Sequence, residues 1–259
     1  MTRPIALIVR APGTNCEHET AYAWERAGAE PRIVRVDELI AHPALIDECD
    51  IVTIPGGFSF GDDLGAGRVF ALRLKRALED RLRAHVEGGG LILGICNGFQ
   101  TLAHLGLFDA AGEAPTFSVT TNTPAGYHDR WVKLQAAPDT RCAFLEPGRT
   151  YLMSMAHGEG RVLFRDAAAE NAALRAGQGA FRYVTGEDFG RDWPANPNGS
   201  MSDLAGVCDA TGRVFGLMPH PERALRSSQH PAYAGGPDEM ADGMVFFETA
   251  VTNAAAIAR

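Results

Sequence analysis

Apolar positions change their period along the chain, and the changes outline the elements. Ile5 to Val9 is an unbroken apolar run, the mark of a strand buried on both faces. After the turn residues Pro12-Gly13-Thr14-Asn15, Glu17 to Ala27 reads as a helix stopped by Gly28. Arg32 to Val36 and Asp50 to Ile54 read as the second and third strands, the third ended by Pro55-Gly56-Gly57. Leu74, Leu78, Leu82 and Val86 recur every fourth residue, the single apolar stripe of a long helix that Gly88-Gly89-Gly90 breaks. Leu91 to Ile95 is a fourth strand, and Phe99 to Leu105 starts another helix.

Strand alternating with helix implies right-handed crossovers and a parallel sheet covered on both faces. The active site of such a sheet lies at the carboxyl ends of its strands. Three loops of unusual composition follow strands here: Pro12 to Asn15, Pro55 to Gly61, and Cys96 to Gly98. They are expected to converge on one crevice. The second half changes character. Thr116 to Thr123 and Trp131 to Gln135 read as short strands paired around a Pro-Ala-Gly turn, and Ala205 to Cys208 with Arg213 to Met218 as a hairpin around Ala210-Thr211-Gly212. Met244, Phe247 and Val251 mark a closing helix, and the polar, Pro/Gly/Asn-rich stretch from Gly186 to Ser200 reads as a loop. The expected class is α/β and flavodoxin-like: a mostly parallel central sheet flanked by helices, an antiparallel extension and a small side sheet, in a single domain over residues 1–259.

Composition narrows the function classes. Apolar residues make up 46% and charged residues 22% of 259, ordinary values for a globular protein with a sizeable core. With 24 basic against 32 acidic residues the net charge is −8, which argues against an extended nucleic-acid footprint or an anionic membrane as partner. The apolar run after the N-terminal Met1-Thr2-Arg3-Pro4 is too short for a secretory signal, and no stretch approaches the roughly 18 apolar residues of a membrane span, so the expected location is the cytoplasm. Cysteines at 16, 49, 96, 142 and 208 are odd in number and form no CxxC pair, which speaks against a disulfide framework or a structural metal site. Each is a buried apolar residue or a reactive thiol on its own account.

Gly94-Ile95-Cys96-Asn97-Gly98 stands between an apolar strand and a helix. This is the nucleophile-elbow pattern with cysteine in place of serine. The glycines permit a turn tight enough to present the side chain, the helix N-terminus favours an anion there, and the Asn97 N–H is free for an oxyanion. Read alone, it is also compatible with a cysteine buried at a strand end. Met218-Pro219-His220-Pro221-Glu222 offers a proton carrier: prolines restrict the segment, and Glu222 can fix the imidazole tautomer. Pro55-Gly56-Gly57-Phe58-Ser59 is either a tight turn or the second half of an oxyanion hole. Ala156-His157-Gly158-Glu159-Gly160 is an acid/base pair, a substrate clamp or a solvated turn, and its spacing does not separate these. No phosphate-binding G-x-x-x-x-G-K-[ST] loop is present.

Together these segments resemble the class I (triad) glutamine amidotransferases, and within them the PurQ-type glutaminase subunits of phosphoribosylformylglycinamidine synthase. Pro12-Gly13-Thr14-Asn15-Cys16, Ile54 to Asp62, Gly94 to Gln100, Arg130-Trp131-Val132, Ala156 to Gly160, Asn198-Gly199-Ser200 and Met218 to Arg223 carry the likeness, in family order across nearly the whole chain. Departures are small: Thr14 where serine is common, Asp63 in place of an aromatic, and a longer stretch from Gly186 to Pro197. The resemblance implies L-glutamine as substrate, Cys96 as nucleophile, His220 as acid/base and Glu222 as its orienter. It implies oxyanion N–H groups from Gly57 and Asn97 in the Gly57-Phe58 loop and the elbow, and Gln100 with His157, Gly158 and Glu159 at the amino-acid end of glutamine. It further implies no cofactor and no metal on this chain. ATP and Mg would sit on a large synthetase partner of the PurL type, with a small PurS-type subunit bridging the two. An elbow-cysteine peptidase or deglycase of similar fold, and a non-catalytic subunit that only stabilises a synthetase, are the alternatives.

Overall fold

Strand β1 (Ile5–Arg10) is paired with a parallel strand on each side, as its unbroken apolar run requires. The computed structural model describes residues 3–185 and 194–257. Around β1 the main sheet has nine strands in the order β2-β1-β3-β4-β11-β10-β9-β6-β7. Strands β2 (Glu30–Arg35), β3 (Ile51–Ile54), β4 (Leu91–Ile95) and β11 (Val214–Leu217) run parallel with β1. Beyond β11, each of β10 (Leu204–Cys208), β9 (Phe181–Tyr183), β6 (His128–Ala136) and β7 (Thr150–His157) is antiparallel to its neighbour. A separate two-stranded sheet pairs β5 (Phe117–Thr121) with β8 (Glu159–Phe164).

The connection from β1 to β2 moves one way along the sheet and that from β3 to β4 the other. Right-handed crossovers therefore put helix α1 (Glu17–Arg26) and helix α3 (Arg68–Glu87) on opposite faces. Helix α4 (Asn97–Leu105) joins α3, and the closing helix α6 (Asp242–Ile257) joins α1. Leu74, Leu78, Leu82 and Val86 are all buried along α3, as their spacing predicts. Trp24 of α1 meets Phe247 of α6 edge-on at 4.7 Å, and its indole N–H donates to Thr53 Oγ1 at 3.0 Å. On the other face, Phe99, Phe108, Phe117 and Phe164 form a run of aromatic contacts that fastens the small sheet to α4.

The structure corrects the sequence reading in several places. Val36 ends no strand; it begins helix α2 (Val36–Ala41), whose first turn carries Asp37 and Glu38 against the helix dipole. Helix α4 starts at Asn97 rather than Phe99. The stretches 116–123 and 131–135 do not pair with each other: β5 pairs with β8, and β6 lies between β9 and β7. The cause is Asn122, whose side chain donates to His157 O and accepts from Gly160 N, tying the chain to the β7–β8 turn instead of closing a hairpin. Strands β7, β8 and β9, helix α2 and helix α5 (Ala167–Arg175) stand outside the elements read from the sequence. The β10–β11 hairpin is formed, with Asp209 accepting from Arg213 N and Val214 N across its turn. Of the expected 186–200 loop, residues 186–193 lie outside the described residues; Asn198 and Ser200 are buried. Among the described residues no helix is long and apolar enough to cross a membrane.

Candidate active site

The turn after β4 is tight because its glycines let three backbones meet. A Cβ on Gly98 would lie 1.8 Å from Ile54 O, and one on Gly94 would lie 2.6 Å from Gly98 O. Only bare backbone fits at either position, and α4 is thereby drawn onto β3 and β4. Between them Cys96 takes φ 51°, ψ −107°, a sparsely populated conformation for a residue with a side chain. Such strain costs on the order of 1–3 kcal/mol and persists only where the surroundings enforce it. Its effect is to stand the Cys96 side chain at the strand tip, 7% exposed, on the wall of a cleft of about 290 Å³.

His220 reaches the same cleft from the end of β11. Its N–H donates to Ser154 O of β7 at 2.7 Å, which fixes the backbone of the Pro-His-Pro segment. Imidazole Nδ1 lies 2.6 Å from Glu222 Oε1, both side chains buried. The carboxylate selects the tautomer: Nδ1 carries the hydrogen, and Nε2 is left for the cleft. Burial disfavours a charged ring, but the Glu222 carboxylate, and then Cys96 and Cys16 beside the ring, outweigh it and hold the His220 pKa well above its ordinary value. Among the described residues Glu222 Oε2 is buried without a hydrogen-bond partner, so none of their donors draws that carboxylate's charge away from the imidazole.

The three strand-end loops converge as their composition predicts. Thr14 and Gly57 form an isolated bridge, Phe58 N donates to Gly13 O at 2.9 Å, and Ser59 N donates to Asn97 Oδ1 at 3.1 Å. Gly57 has φ 146°, and a Cβ there would lie 2.7 Å from Thr14 Cα, so glycine alone fits. The Gly57 and Asn97 N–H groups have no backbone acceptor among the described residues, whereas the Phe58 N–H is occupied and its ring is half exposed at the mouth. The Asn97 side chain points into a polar knot: its Nδ2 donates to Asp62 Oδ1 at 3.0 Å and to Gln100 Oε1 at 3.0 Å.

The opposite wall comes from β7 and β8. Ala156, His157, Gly158 and Glu159 line the cleft, and Gln100 Nε2 donates to Glu159 O across it. The His157 ring, however, is buried rather than presented: Nδ1 donates to Asn122 Oδ1 at 3.1 Å, and burial pushes its pKa down to about 3. It braces the rim as a neutral imidazole and is unsuited to be a second acid/base. The structure thus gathers Cys96, His220, Gly57, Phe58, Gln100, His157, Gly158 and Glu159 round one cleft, with Glu222 and Asn97 behind them. It adds Asn15, Cys16, Asp62, Tyr127 and Arg223, which the sequence reading did not single out as site residues. Four of the five lie inside the motif segments, so their signal was position beside a recognised residue. Cys16, His220 and Glu222 could be taken for metal ligands, but the 2.6 Å between imidazole and carboxylate is a hydrogen bond, and no ion fits between those atoms.

A thiol at a strained elbow facing a carboxylate-held imidazole is shared by several hydrolase and transferase families, and comparison with known proteins separates them. The model of the CobB/CobQ-like glutamine amidotransferase domain matches residues 3–253. Phosphoribosylformylglycinamidine synthase subunit PurQ of Dehalococcoides mccartyi is 40% identical, over 97% of this chain and 98% of the relative. The chain belongs to the PurQ family. The PurQ subunit of Methanococcus maripaludis is 42% identical over 89% of this chain and 86% of its own. Among solved structures, PurLQS from Thermotoga maritima matches with a TM-score of 0.73 and 31% identity, covering 97% of this chain and 99% of that one. A glutamine amidotransferase of Thermotoga maritima, at 16% identity and TM-score 0.51 over 86% of this chain and 77% of its own, shares the fold. Like the other members of the PurQ family, the chain is a glutamine amidotransferase of mixed α/β architecture.

Proposed function

We propose that Cys96, His220 and Glu222 are the catalytic triad of a glutaminase, working over residues 1–259 as one unit. Cys96 Sγ gives its proton to His220 Nε2 and attacks the side-chain amide carbon of L-glutamine. The oxyanion that forms accepts from the Gly57 and Asn97 N–H groups, which are preorganised and have no other acceptor among the described residues. His220 returns the proton to the departing nitrogen, and ammonia leaves behind a γ-glutamyl thioester on Cys96. A water then gives a proton to His220 and its oxygen to the acyl carbon, freeing glutamate and the thiol. Gln100, Gly158 and Glu159 hold the amino-acid end of the substrate, with Gln100 set by its bonds to Asn97 and to Glu159 O.

The observation that carries this reading is the 2.6 Å contact of Glu222 with His220 Nδ1, which leaves Nε2 as the one ring nitrogen for the cleft that holds Cys96. The protein is the glutaminase subunit of a synthase that converts formylglycinamide ribonucleotide to formylglycinamidine ribonucleotide in purine biosynthesis. Its ammonia passes to a synthetase of the PurL type, with a PurS-type protein in the assembly, as in the PurLQS structure from Thermotoga maritima. ATP and Mg belong to that synthetase; this chain carries no cofactor of its own and works in the cytoplasm. Labelled glutamine trapped on acid quench should add one glutamyl group at Cys96 and none in Cys96→Ala, and ammonia release should rise strongly when the synthetase, ATP and the ribonucleotide are supplied. Normal ammonia release by Cys96→Ala would end the proposal, and general peptide cleavage would favour a peptidase instead.

A further inference from the structure

A second thiol stands in the cleft and takes no part in the chemistry above. Cys16, just before α1, is 1% exposed. Its Sγ, a ring nitrogen of His220 and a carboxylate oxygen of Glu222 all lie within 4.8 Å of one another. Two groups fix the sulfur: Arg223 Nη2 donates to it at 3.1 Å, and Cys16 Sγ itself donates to Asn15 Oδ1 at 3.2 Å. Arg223 is itself held by Glu19 Oε1 at 2.9 Å. The backbone is held as well, since Asn15 N and Cys16 N both donate to Gly56 O, at 3.4 and 3.3 Å. A Cβ on Gly56 would lie 2.9 Å from His220 Cε1, 3.1 Å from Cys16 Sγ and 3.5 Å from Cys96 Cβ. The acid/base and both thiols are therefore packed round one bare backbone position.

A single hydrogen bond at Nδ1 fixes one point of the imidazole but leaves the ring free to swing about it. A second contact fixes its direction. We propose that Cys16 is a positioning residue that, with Arg223, braces the His220 ring so that Nε2 stays on Cys96 through both proton transfers. This inference rests on the reading of His220 as the acid/base. A thiol suits the task because burial pushes the Cys16 pKa up, so it stays a neutral S–H beside the ring and does not rival Cys96 as nucleophile. The titratable groups round His220 are Glu222 and Arg223 on its own segment, Cys16 before α1, Cys96 at the elbow, His157 on β7, and Tyr127 before β6. Only the first thiol changes in the test.

The test is steady-state glutamine turnover of the full chain assembled with its synthetase and bridging subunits. Cys16→Ala is expected to lower kcat by roughly tenfold to 10²-fold, the range for a displaced reacting group, with the KM for glutamine unchanged. Because the Cys16 contact favours the protonated ring, the His220 limb of the pH profile should move to lower pH in the variant. Cys16→Ser, which keeps a small polar group, should recover part of both effects. Cys16→Val, close in volume but without a hydrogen bond, carries the same expectation as alanine if alanine does not fold. A variant without the thiol that keeps the wild-type kcat and pH limb, or that changes only its melting temperature, overturns the inference. Cys96→Ala in the same assay separates the two claims. Turnover there sinks the triad reading itself, whereas no turnover there with wild-type behaviour at position 16 sinks this inference alone.

Discussion

Phe60, Asp62 and Cys96, on the parallel side of the cleft, all have positive φ, and Gly57, Gly94 and Gly98 beside them lie against the backbone of Thr14, Gly98 and Ile54, where a Cβ would clash. On the antiparallel side the rim is held by polar side chains instead. Asn122 is 2% exposed and fully satisfied: Nδ2 donates to Gly126 O and His157 O, and Oδ1 accepts from His157 Nδ1 and Gly160 N. Asn198 and Ser200 extend this network to Gly160 O and Val162 N. Backbone strain positions a reacting atom to a fraction of an ångström, because the turn has one way to close. A side-chain network orients a surface and tolerates adjustment. The sulfur proposed as nucleophile and the proposed oxyanion donors lie on the first wall, and the residues proposed to hold the substrate lie largely on the second.

Four substitutions would break or sharpen that contrast, taken from the largest expected effect. His220 sits where the walls meet, with its backbone on Ser154 of β7 and its side chain on Glu222. His220→Ala is expected to lower glutamine turnover by about 10²–10⁴-fold, the usual worth of a general acid/base, as read by ammonia release; unaltered turnover across pH would count against the assignment. Gly98→Ala forces a Cβ against Ile54 O and should displace the elbow. A loss of about 10²-fold in kcat is expected, with melting temperature lowered as well, and a variant of normal kcat would show the strained wall to be adjustable. Asn122→Ala strands the Gly160 N–H and a ring nitrogen of His157, at about 1–3 kcal/mol for each buried unpaired group. Denaturant melts should register that loss, while turnover should suffer mainly through a raised KM.

The smallest effect concerns pH. His157 is neutral in the folded protein, its pKa pushed down to about 3 by burial first and then by repulsion from the side chains of His220, His128 and Arg130. An unfolded histidine titrates near 6.5, so this group's stabilising contribution is present above about 6.5 and declines as pH falls toward about 3. His157→Gln removes that titration. Its denaturant midpoint should fall less steeply than the wild type's between those limits, and parallel curves would refute the neutral, buried assignment.

The same contrast explains what could be read early. Elements with a local signal were legible: the apolar run of β1, the four-residue stripe of α3, and the hairpin round Ala210-Thr211-Gly212. The elbow was legible because its demand for glycine is local. Strand β7 escaped the reading although Tyr151, Met153 and Met155 alternate along it, and the partner of β5 was wrong because alternation says which face is buried and not which strand lies alongside. Arg223 was visible as a motif letter, yet nothing local placed it on Cys16, 207 residues away.

Sequence by itself determined the α/β class and the family, and it singled out the thiol, imidazole and carboxylate that the fold brings to one cleft, because turn geometry and motif spacing act over a few residues. Tertiary structure decided that His157 is a buried brace, that Asn122 redirects β5, and that Cys16 lies against His220. Those outcomes depend on burial and on pairing between distant segments, and a hydrogen bond closed across the fold leaves no periodic trace in the chain that makes it.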